Sequence, residues 1–231
     1  MRKYLAFALK GCVFVSGLAG VVIMVMESSA STTEGLGSLL YFTQQSNLWI
    51  SITALTLLVL GLVEHRTGYS VIMPWMYVAK LAFTVSISLT GLTFCLLLAP
   101  ASRGAFSPWS FGSGLTHVVT PVLSVVEFFV DEYPICYTNK QTLAVAIPPL
   151  YYLAFVMVAN TLKVDFGGGG YYPYFFLNFN SPMGWFGLGG EIPYVMGVFY
   201  WLAAILALVV GLGFLYAWLY RKNVKRARVE G

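Results

Sequence analysis

Three uncharged polar residues and one histidine lie near the starts of long apolar segments in this 231-residue sequence. Thr43, Ser46 and Asn47 are spaced i, i+3 and i+4, so in a helix they share one face. His117 begins a different apolar segment. A threonine hydroxyl and an imidazole have the chemistry of a nucleophile and its general base, because imidazole titrates near neutrality and can take up the hydroxyl proton and return it.

A structural role is the alternative for each of these residues. Threonine in a spanning helix usually bonds to the carbonyl four residues earlier, and asparagine often links neighbouring helices. His117 has the matching alternative of a hydrogen-bonded histidine in helix packing. One distance separates the two interpretations: a Thr43 hydroxyl within about 4 Å of the His117 ring, in a lipid-accessible cavity, favours catalysis.

The elements that must position these residues are membrane-spanning helices. Hydrophobic residues make up 58% of the chain and charged residues 10%, whereas soluble domains have about 25% charged residues. This composition excludes a free soluble enzyme and a disulfide-stapled secreted module. Since a spanning helix needs about 20 mostly apolar residues, the sequence predicts an all-α polytopic fold. The prediction is one domain, residues 1–231, with six spans at about 5–26, 39–63, 74–99, 115–130, 143–159 and 195–220.

The first span is expected to be a retained helix. It begins with basic residues, as a signal peptide does, but its apolar run is longer than that of a signal peptide and contains Lys10.

The positive charges predict the orientation. Lys80 lies within a span, and only Arg103 and Lys163 fall on the side of the odd-numbered loops. The other ten of the thirteen Lys and Arg residues fall on the side of the two termini: Arg2, Lys3, Lys10, Arg66, Lys140, Arg221, Lys222, Lys225, Arg226 and Arg228. Because cytoplasmic loops carry the excess of Lys and Arg, we expect an integral membrane protein with both termini in the cytoplasm.

This topology places Thr43 and His117 at similar depth in the outer leaflet, because the second and fourth spans both run from the outside to the inside. The basic C-terminus directly follows an apolar run, which is typical of a membrane anchor rather than of a nucleic-acid-binding arm. The expected partners are therefore membrane lipids and not nucleic acid.

Two charged residues interrupt the apolar runs at matched depth near the cytoplasmic side. Lys80 of the third span and Glu127 of the fourth are expected to form a structural, buried charge pair, since buried charges usually survive by pairing. The alternative for Lys80 is a side chain that extends to the interface.

The three cysteines predict neither a disulfide nor a metal site. Cys12, Cys95 and Cys136 fall at different depths, and no CxxC or His-rich spacing is present. No metal and no cofactor are expected.

The last outer loop, from about residue 160 to 193, combines the glycines of Gly167–Gly170 with many aromatic residues. Tyrosine and tryptophan favour the headgroup layer, and long loops are often functional. We therefore expect a lid or lipid-access element that includes Tyr172, Tyr174, Phe176 and Trp185. A structural cap over the helix ends is the alternative.

Three motifs together resemble a known family of six-span membrane proteins. They are Phe42-Thr43-x-x-Ser46-Asn47-Leu48, His117-x-x-x-Pro121 with Glu127 ten residues beyond the histidine, and Tyr172-Pro173-Tyr174-x-Phe176-Leu177. In order and placement they are similar to the androgen-induced and androgen-dependent TFPI-regulating protein family and its bacterial relatives. The long Gly- and aromatic-rich last loop departs from that family.

The resemblance implies an intramembrane threonine hydrolase that cleaves fatty-acid esters of hydroxy fatty acids, with Thr43 as nucleophile and His117 as base. Ser46 and Asn47, which share the helical face of Thr43, become candidates for orienting the site or stabilising an oxyanion. A non-enzymatic lipid-binding or transport protein is the main alternative, although the six spans contain no evident internal repeat of the kind common in transporters. A structural or regulatory membrane partner is the third possibility.

Overall fold

The computed structural model describes residues 2–31, 35–101, 109–132, 134–166 and 169–230. Arg103, Gly167 and Gly168 lie outside these ranges. The protein is 77% helical, and the described residues form no strand beyond one isolated bridge between Leu188 and Met196. Six helices are long and apolar enough to cross a membrane. The chain is therefore an all-α, multi-pass membrane protein, as its composition predicts.

We number the six spanning helices in chain order. They are α1 (Arg2–Ser31), α2 (Phe42–Thr67), α3 (Pro74–Leu98), α4 (Phe111–Val130), α5 (Asn139–Thr161) and α6 (Val198–Glu230). Two of them contain a π-helical turn, Phe94–Leu98 at the end of α3 and Leu115–Val119 within α4. Short 3-10 turns precede α2 (Gly35–Leu40), interrupt α5 (Ala144–Ala146) and lie in the last loop (Phe175–Leu177).

Two helices begin earlier than the apolar pattern predicts. The helix α4 begins at Phe111 rather than at residue 115, because the Ser110 hydroxyl accepts a backbone N–H of the first turn. The helix α5 begins at Asn139 rather than at residue 143, because Thr138 and Gln141 form a capping box. Capping residues are polar, so a search for apolar runs does not include the turns that they begin.

The start of α3 at Pro74 and the end of α4 at Val130 agree with the prediction, whereas several other helix ends differ from it by a few residues or more. The start of α2 moves from residue 39 to Phe42, because Gly35–Leu40 forms a 3-10 turn instead. Its end extends past residue 63 to Thr67, where Gly68 has a left-handed backbone with φ 75° that ends the helix. The first and last helices continue beyond their apolar runs, to Ser31 and Glu230.

The helix α3 lies at the centre of the bundle. It packs against α2, α4, α5 and α6, whereas α1 packs mainly against α2 and α4. Many large apolar side chains point outward, as a lipid-facing surface requires, among them Val15, Ile52, Leu150 and Leu206.

Both ends of the chain lie at the same end of the bundle, which we call the base. Arg2 donates to the carbonyl of Val130 at 2.9 Å, and Arg221 donates to the carbonyl of Tyr137 at 3.0 Å. These two carbonyls flank the connection between α4 and α5. We call the opposite end, where α2 and α4 begin, the top.

Candidate functional site

The Thr43 hydroxyl lies in the first turn of α2 and points into the bundle. Its Oγ1 atom is 3.3 Å from Nε2 of His117, and each residue is only 7% exposed. Both helices begin at the top, which is why two residues 74 positions apart lie at the same depth. A hydroxyl and an imidazole nitrogen at this separation are within the range expected of a nucleophile and its base.

Hydrogen bonds within α4 fix the orientation of the His117 ring. Its Nδ1 donates to the carbonyl of Ser113 at 3.0 Å, and the hydroxyls of Ser113 and Thr116 each lie 3.1 Å from the same nitrogen. A bond from Nδ1 to a carbonyl requires the proton to be on Nδ1. The lone pair of Nε2 therefore faces the Thr43 hydroxyl, as a base requires.

The two π-helical turns meet at this histidine. Phe94, the first residue of the π turn of α3, stacks on the His117 ring with centroids 3.8 Å apart and planes 18° apart. His117 is the middle residue of Leu115–Val119. The helices approach closely here because Gly91 has no side chain: a Cβ atom would lie 2.8 Å from the His117 carbonyl oxygen. Single π turns are rare and occur frequently at functional sites.

Ser46 and Asn47 hold the backbone of the site rather than lining the space beside Thr43. The Ser46 hydroxyl donates to the Thr43 carbonyl at 3.1 Å and lies 2.8 Å from the hydroxyl of Thr90. The Asn47 amide donates to the Thr43 carbonyl at 2.8 Å and to the Thr116 carbonyl at 3.1 Å. The asparagine thus joins α2 to α4, and both residues orient the site.

The last loop brings two aromatic residues to the site. The Thr43 backbone N–H donates to the Tyr174 hydroxyl at 3.4 Å, and the same hydroxyl lies 3.5 Å from Thr43 Oγ1. Phe176 is buried and stacks on the Tyr174 ring, with centroids 5.0 Å apart and planes 9° apart. Of the four residues expected in a lid, these two lie at the site: Tyr174 contacts Thr43, and Phe176 contacts Tyr174.

The other two expected lid residues lie away from Thr43. The hydroxyl of Tyr172 bonds with that of Tyr194, which raises the pKa of Tyr172. Trp185 is 42% exposed and stacks on Phe179, with centroids 5.6 Å apart. Within the described loop, these two side chains contribute to its own packing.

An apolar cavity lies against Thr43. It encloses about 550 Å³ of empty space, its open mouth included. The hydroxyl-bearing residues of its lining are Thr43, Thr90, Thr93, Tyr152 and Tyr174. Its apolar lining includes residues of α3, α5 and α6: Leu98, Pro149, Leu153, Leu202 and Ile205. The Thr43 hydroxyl lies between this cavity and His117.

The expected pair of Lys80 and Glu127 is part of a larger buried network near the base. Lys80 contacts Glu127, and both side chains are fully buried, so Lys80 does not extend to the interface. Lys10 lies 3.0 Å from the Glu127 carboxylate and also contacts Asp131. The predicted contact between Lys80 and Glu127 is present, and Lys10 of α1, which also points inward, adds to it.

The three cysteines are free and exposed. Among the residues that the structure describes, no three His, Cys, Asp or Glu side chains group as ligands for a metal ion.

Fold and site together define a six-helix membrane protein with a buried Thr–His pair at the wall of an apolar cavity. In comparisons with protein-family models, curated proteins and solved structures, nothing matches the chain. The functional argument therefore depends on the arrangement of its own residues.

The sequence analysis did not identify two neighbours of the Thr–His pair, Phe94 and Ser113. Phe94 is one of 17 phenylalanines, and only the meeting of two helices brings it onto His117. Ser113 precedes His117 by four residues, so the i−4 spacing is a signal that could identify it as the partner of the ring.

Proposed function

We propose that this protein is an intramembrane hydrolase of long-chain lipid esters, of the type in which a fatty acid is esterified to a hydroxy fatty acid. Thr43 is the nucleophile and His117 is the general base. The observation that carries the proposal is the 3.3 Å contact between the Thr43 hydroxyl and His117 Nε2 at the wall of an apolar cavity. The resemblance of three motifs to the androgen-induced protein family supports the same assignment.

The proposed reaction has two steps that both use His117. Nε2 takes the Thr43 proton while Oγ1 bonds to the ester carbonyl carbon, and the carbonyl π electrons move to its oxygen. When this intermediate collapses, the ester C–O bond breaks and the leaving alkoxide takes the proton from Nε2. A water then gives its proton to Nε2 and attacks the acyl-threonine, which releases the fatty acid and returns the proton to Thr43.

The position of Thr43 in its helix favours this chemistry. Thr43 is the second residue of α2, so its hydroxyl lies at the positive end of the helix dipole. A developing negative charge on Oγ1 or on the attacked carbonyl is stabilised at such an end.

The proposal includes an orientation and a route for the substrate. The excess of Lys and Arg at the base supports an orientation with both termini in the cytoplasm, in which the Thr–His pair would lie in the outer leaflet. A lipid ester would then pass laterally between α3, α5 and α6 into the cavity, below the last loop.

The test combines turnover with covalent labelling. Purified protein is incubated with long-chain esters and, separately, with a fluorophosphonate probe that reacts with activated hydroxyls. We expect Thr43→Ala to abolish both signals, and His117→Ala to lower the turnover rate by about 10²–10⁴-fold, the usual contribution of a general base.

Thr56→Ala is the matched control, because Thr56 lies on the same helix and its hydroxyl donates to the Ile52 carbonyl of that helix at 2.8 Å. This variant should retain full turnover and labelling. Labelling that persists in Thr43→Ala would overturn the assignment of the nucleophile. Saturable ester binding without turnover in the unmodified protein would instead favour a lipid-binding or transport protein.

A further inference from the structure

The Tyr174 hydroxyl occupies a special position above the nucleophile. It lies 3.4 Å from the Thr43 backbone nitrogen and 3.5 Å from Thr43 Oγ1, although the two residues are 131 positions apart. Its ring is held on several sides, by Tyr41 with centroids 5.8 Å apart, by Tyr152 at 6.4 Å and by the stacked Phe176. These ring contacts fix the position of the Tyr174 hydroxyl, and they do not depend on the hydrogen bonds that the hydroxyl makes.

At the start of α2 the Tyr174 hydroxyl has both a donor and an acceptor within reach, the Thr43 backbone N–H and the Thr43 Oγ1 atom. The residue before the helix, Tyr41, provides no side-chain cap, and the Thr43 N–H instead donates to the Tyr174 oxygen. The phenol thus accepts a hydrogen bond from the first turn, and its own proton can be donated toward Thr43 Oγ1. An ester oxygen bound beside Oγ1 would lie within reach of the same donor.

The other described hydroxyls around the cavity donate to protein groups. Thr93 donates to the Leu89 carbonyl at 2.8 Å, and Tyr152 donates to the Leu40 carbonyl at 3.1 Å. Thr90 is bonded to Ser46 and to the Ser86 carbonyl. Among the described cavity-lining side chains, Tyr174 is the one whose hydroxyl contacts Thr43 Oγ1; it also forms a hydrogen bond with Tyr152.

We propose that Tyr174 is the oxyanion donor of this site, a catalytic residue supplied by the last loop. This inference rests on the proposed hydrolase function and deepens it. When Thr43 Oγ1 bonds to the ester carbon, the carbonyl oxygen becomes negative and accepts the Tyr174 O–H. The proton of Thr43 goes to His117 and Tyr174 keeps its own, so the phenol stabilises charge without transferring a proton.

The Thr43 N–H increases the effect. A hydroxyl that already accepts a hydrogen bond is polarised and becomes a stronger donor. Burial raises the pKa of Tyr174, so the phenol stays protonated, and able to donate, above the pH at which an exposed tyrosine ionises.

The first experiment removes only the hydroxyl. In Tyr174→Phe we expect kcat for a long-chain ester to fall by about 10²–10³-fold, the usual loss for one oxyanion donor, while KM changes less than twofold. Tyr172→Phe is the matched control. The Tyr172 hydroxyl belongs to the same loop, but it bonds to Tyr194 rather than to Thr43. This variant should leave both constants unchanged.

Inhibitor binding separates an oxyanion role from a packing role. A long-chain trifluoromethyl ketone adds the threonine hydroxyl and forms an oxyanion, whereas the corresponding alkyl ether binds without one. We expect Tyr174→Phe to weaken binding of the ketone about 10²-fold and to leave binding of the ether unchanged. Equal weakening of both compounds would mean that Tyr174 only shapes the cavity, and would overturn the inference.

A second substitution retains both ring and hydroxyl. Site-specific difluorotyrosine at position 174 lowers the pKa of the phenol and strengthens its donor. Because only the neutral phenol can donate, we expect turnover at neutral pH to be at least that of the unmodified protein and its alkaline loss to move to lower pH. An unchanged pH profile would contradict the inference.

These outcomes are distinct from failure of the proposed function. If the unmodified protein shows no Thr43-dependent turnover and no ketone binding, the hydrolase proposal fails, and the inference with it. If turnover depends on Thr43 and His117 but Tyr174→Phe equals the unmodified protein, only the inference fails.

Discussion

His117 has two independent restraints on its ring. The Ser113 carbonyl accepts the Nδ1 proton at 3.0 Å, which fixes the tautomer and the direction of Nε2. Phe94 covers one face of the ring at a centroid distance of 3.8 Å, which limits rotation about the bond to the ring. A base that is held in this way spends more time with its lone pair toward the Thr43 hydroxyl.

The second restraint can be tested by Phe94→Leu, which keeps an apolar side chain and removes the stack. An aromatic pair is worth about 0.5–1.5 kcal/mol beyond its buried area. If that energy holds the productive ring orientation, kcat/KM for a long-chain ester should fall about 2- to 12-fold. Steady-state kinetics together with thermal unfolding measure the two effects separately.

Phe128→Leu is the control, because Phe128 is fully buried but lies at the base, where its ring packs 5.4 Å from that of Tyr220. It should lower the unfolding temperature and leave kcat/KM unchanged. Equal losses of kcat/KM in the two variants would show that Phe94 acts through general packing.

At the level of helices, a network of charges joins three elements near the base. Lys10 belongs to α1 and Lys80 to α3, while Glu127 belongs to α4 and Asp131 follows its last residue. Two cations thus face two carboxylates, and Glu127 contacts both cations. This network lies at the opposite end of the bundle from the Thr–His pair, so we expect it to stabilise the helices rather than to take part in the reaction.

Glu127→Gln should destabilise the fold most, since it removes the carboxylate that contacts both Lys10 and Lys80. Breaking a buried pair by removing one partner costs about 3–5 kcal/mol. Lys80→Met leaves Glu127 paired with Lys10 and should cost less. The double variant Lys80→Met with Glu127→Gln should be more stable than Glu127→Gln alone, because Lys10 and Asp131 then balance.

Thermal unfolding in detergent measures this order of stabilities. Glu132→Gln is the control, since the pair of Arg2 and Glu132 is largely exposed and such a pair is worth at most about 1 kcal/mol. A double variant less stable than Glu127→Gln would mean that Lys80 has a stabilising role other than pairing.

The sequence predicts the helices well and their mutual rotation poorly. Apolar runs place six spans because the bilayer requires about 20 apolar residues in each, and the topology places Thr43 and His117 at one depth. Whether their side chains meet depends on rotation, which is set by contacts such as Gly91 against the His117 carbonyl. Because the rotation of α1 is not given by the sequence either, the inward direction of Lys10 was not predicted. The π turns have no signature in an apolar pattern.

At the scale of the whole molecule, the cavity exists only because distant parts of the chain meet. Thr43 comes from α2, Leu98 from α3, Leu153 from α5, Leu202 from α6 and Tyr174 from the last loop. Under the proposed function, the Thr43 hydroxyl and the apolar lining would suit an ester whose acyl chain extends away from the reacting carbonyl. Chain length should then be selected by that lining and not by the Thr–His pair.

Leu153→Trp tests this division. The larger side chain fills part of the cavity, so kcat/KM for long-chain esters should fall about tenfold or more. Apolar pockets discriminate by at least roughly 10-fold for each methylene. Short-chain esters, which do not reach Leu153, should keep their kcat/KM.

Leu150→Trp adds the same ring to an outward-facing position of α5 that is 49% exposed, and it should leave the chain-length profile unchanged. A loss shared equally by short and long esters in Leu153→Trp would mean that the substitution disturbs Thr43 itself, and that the acyl chain lies elsewhere.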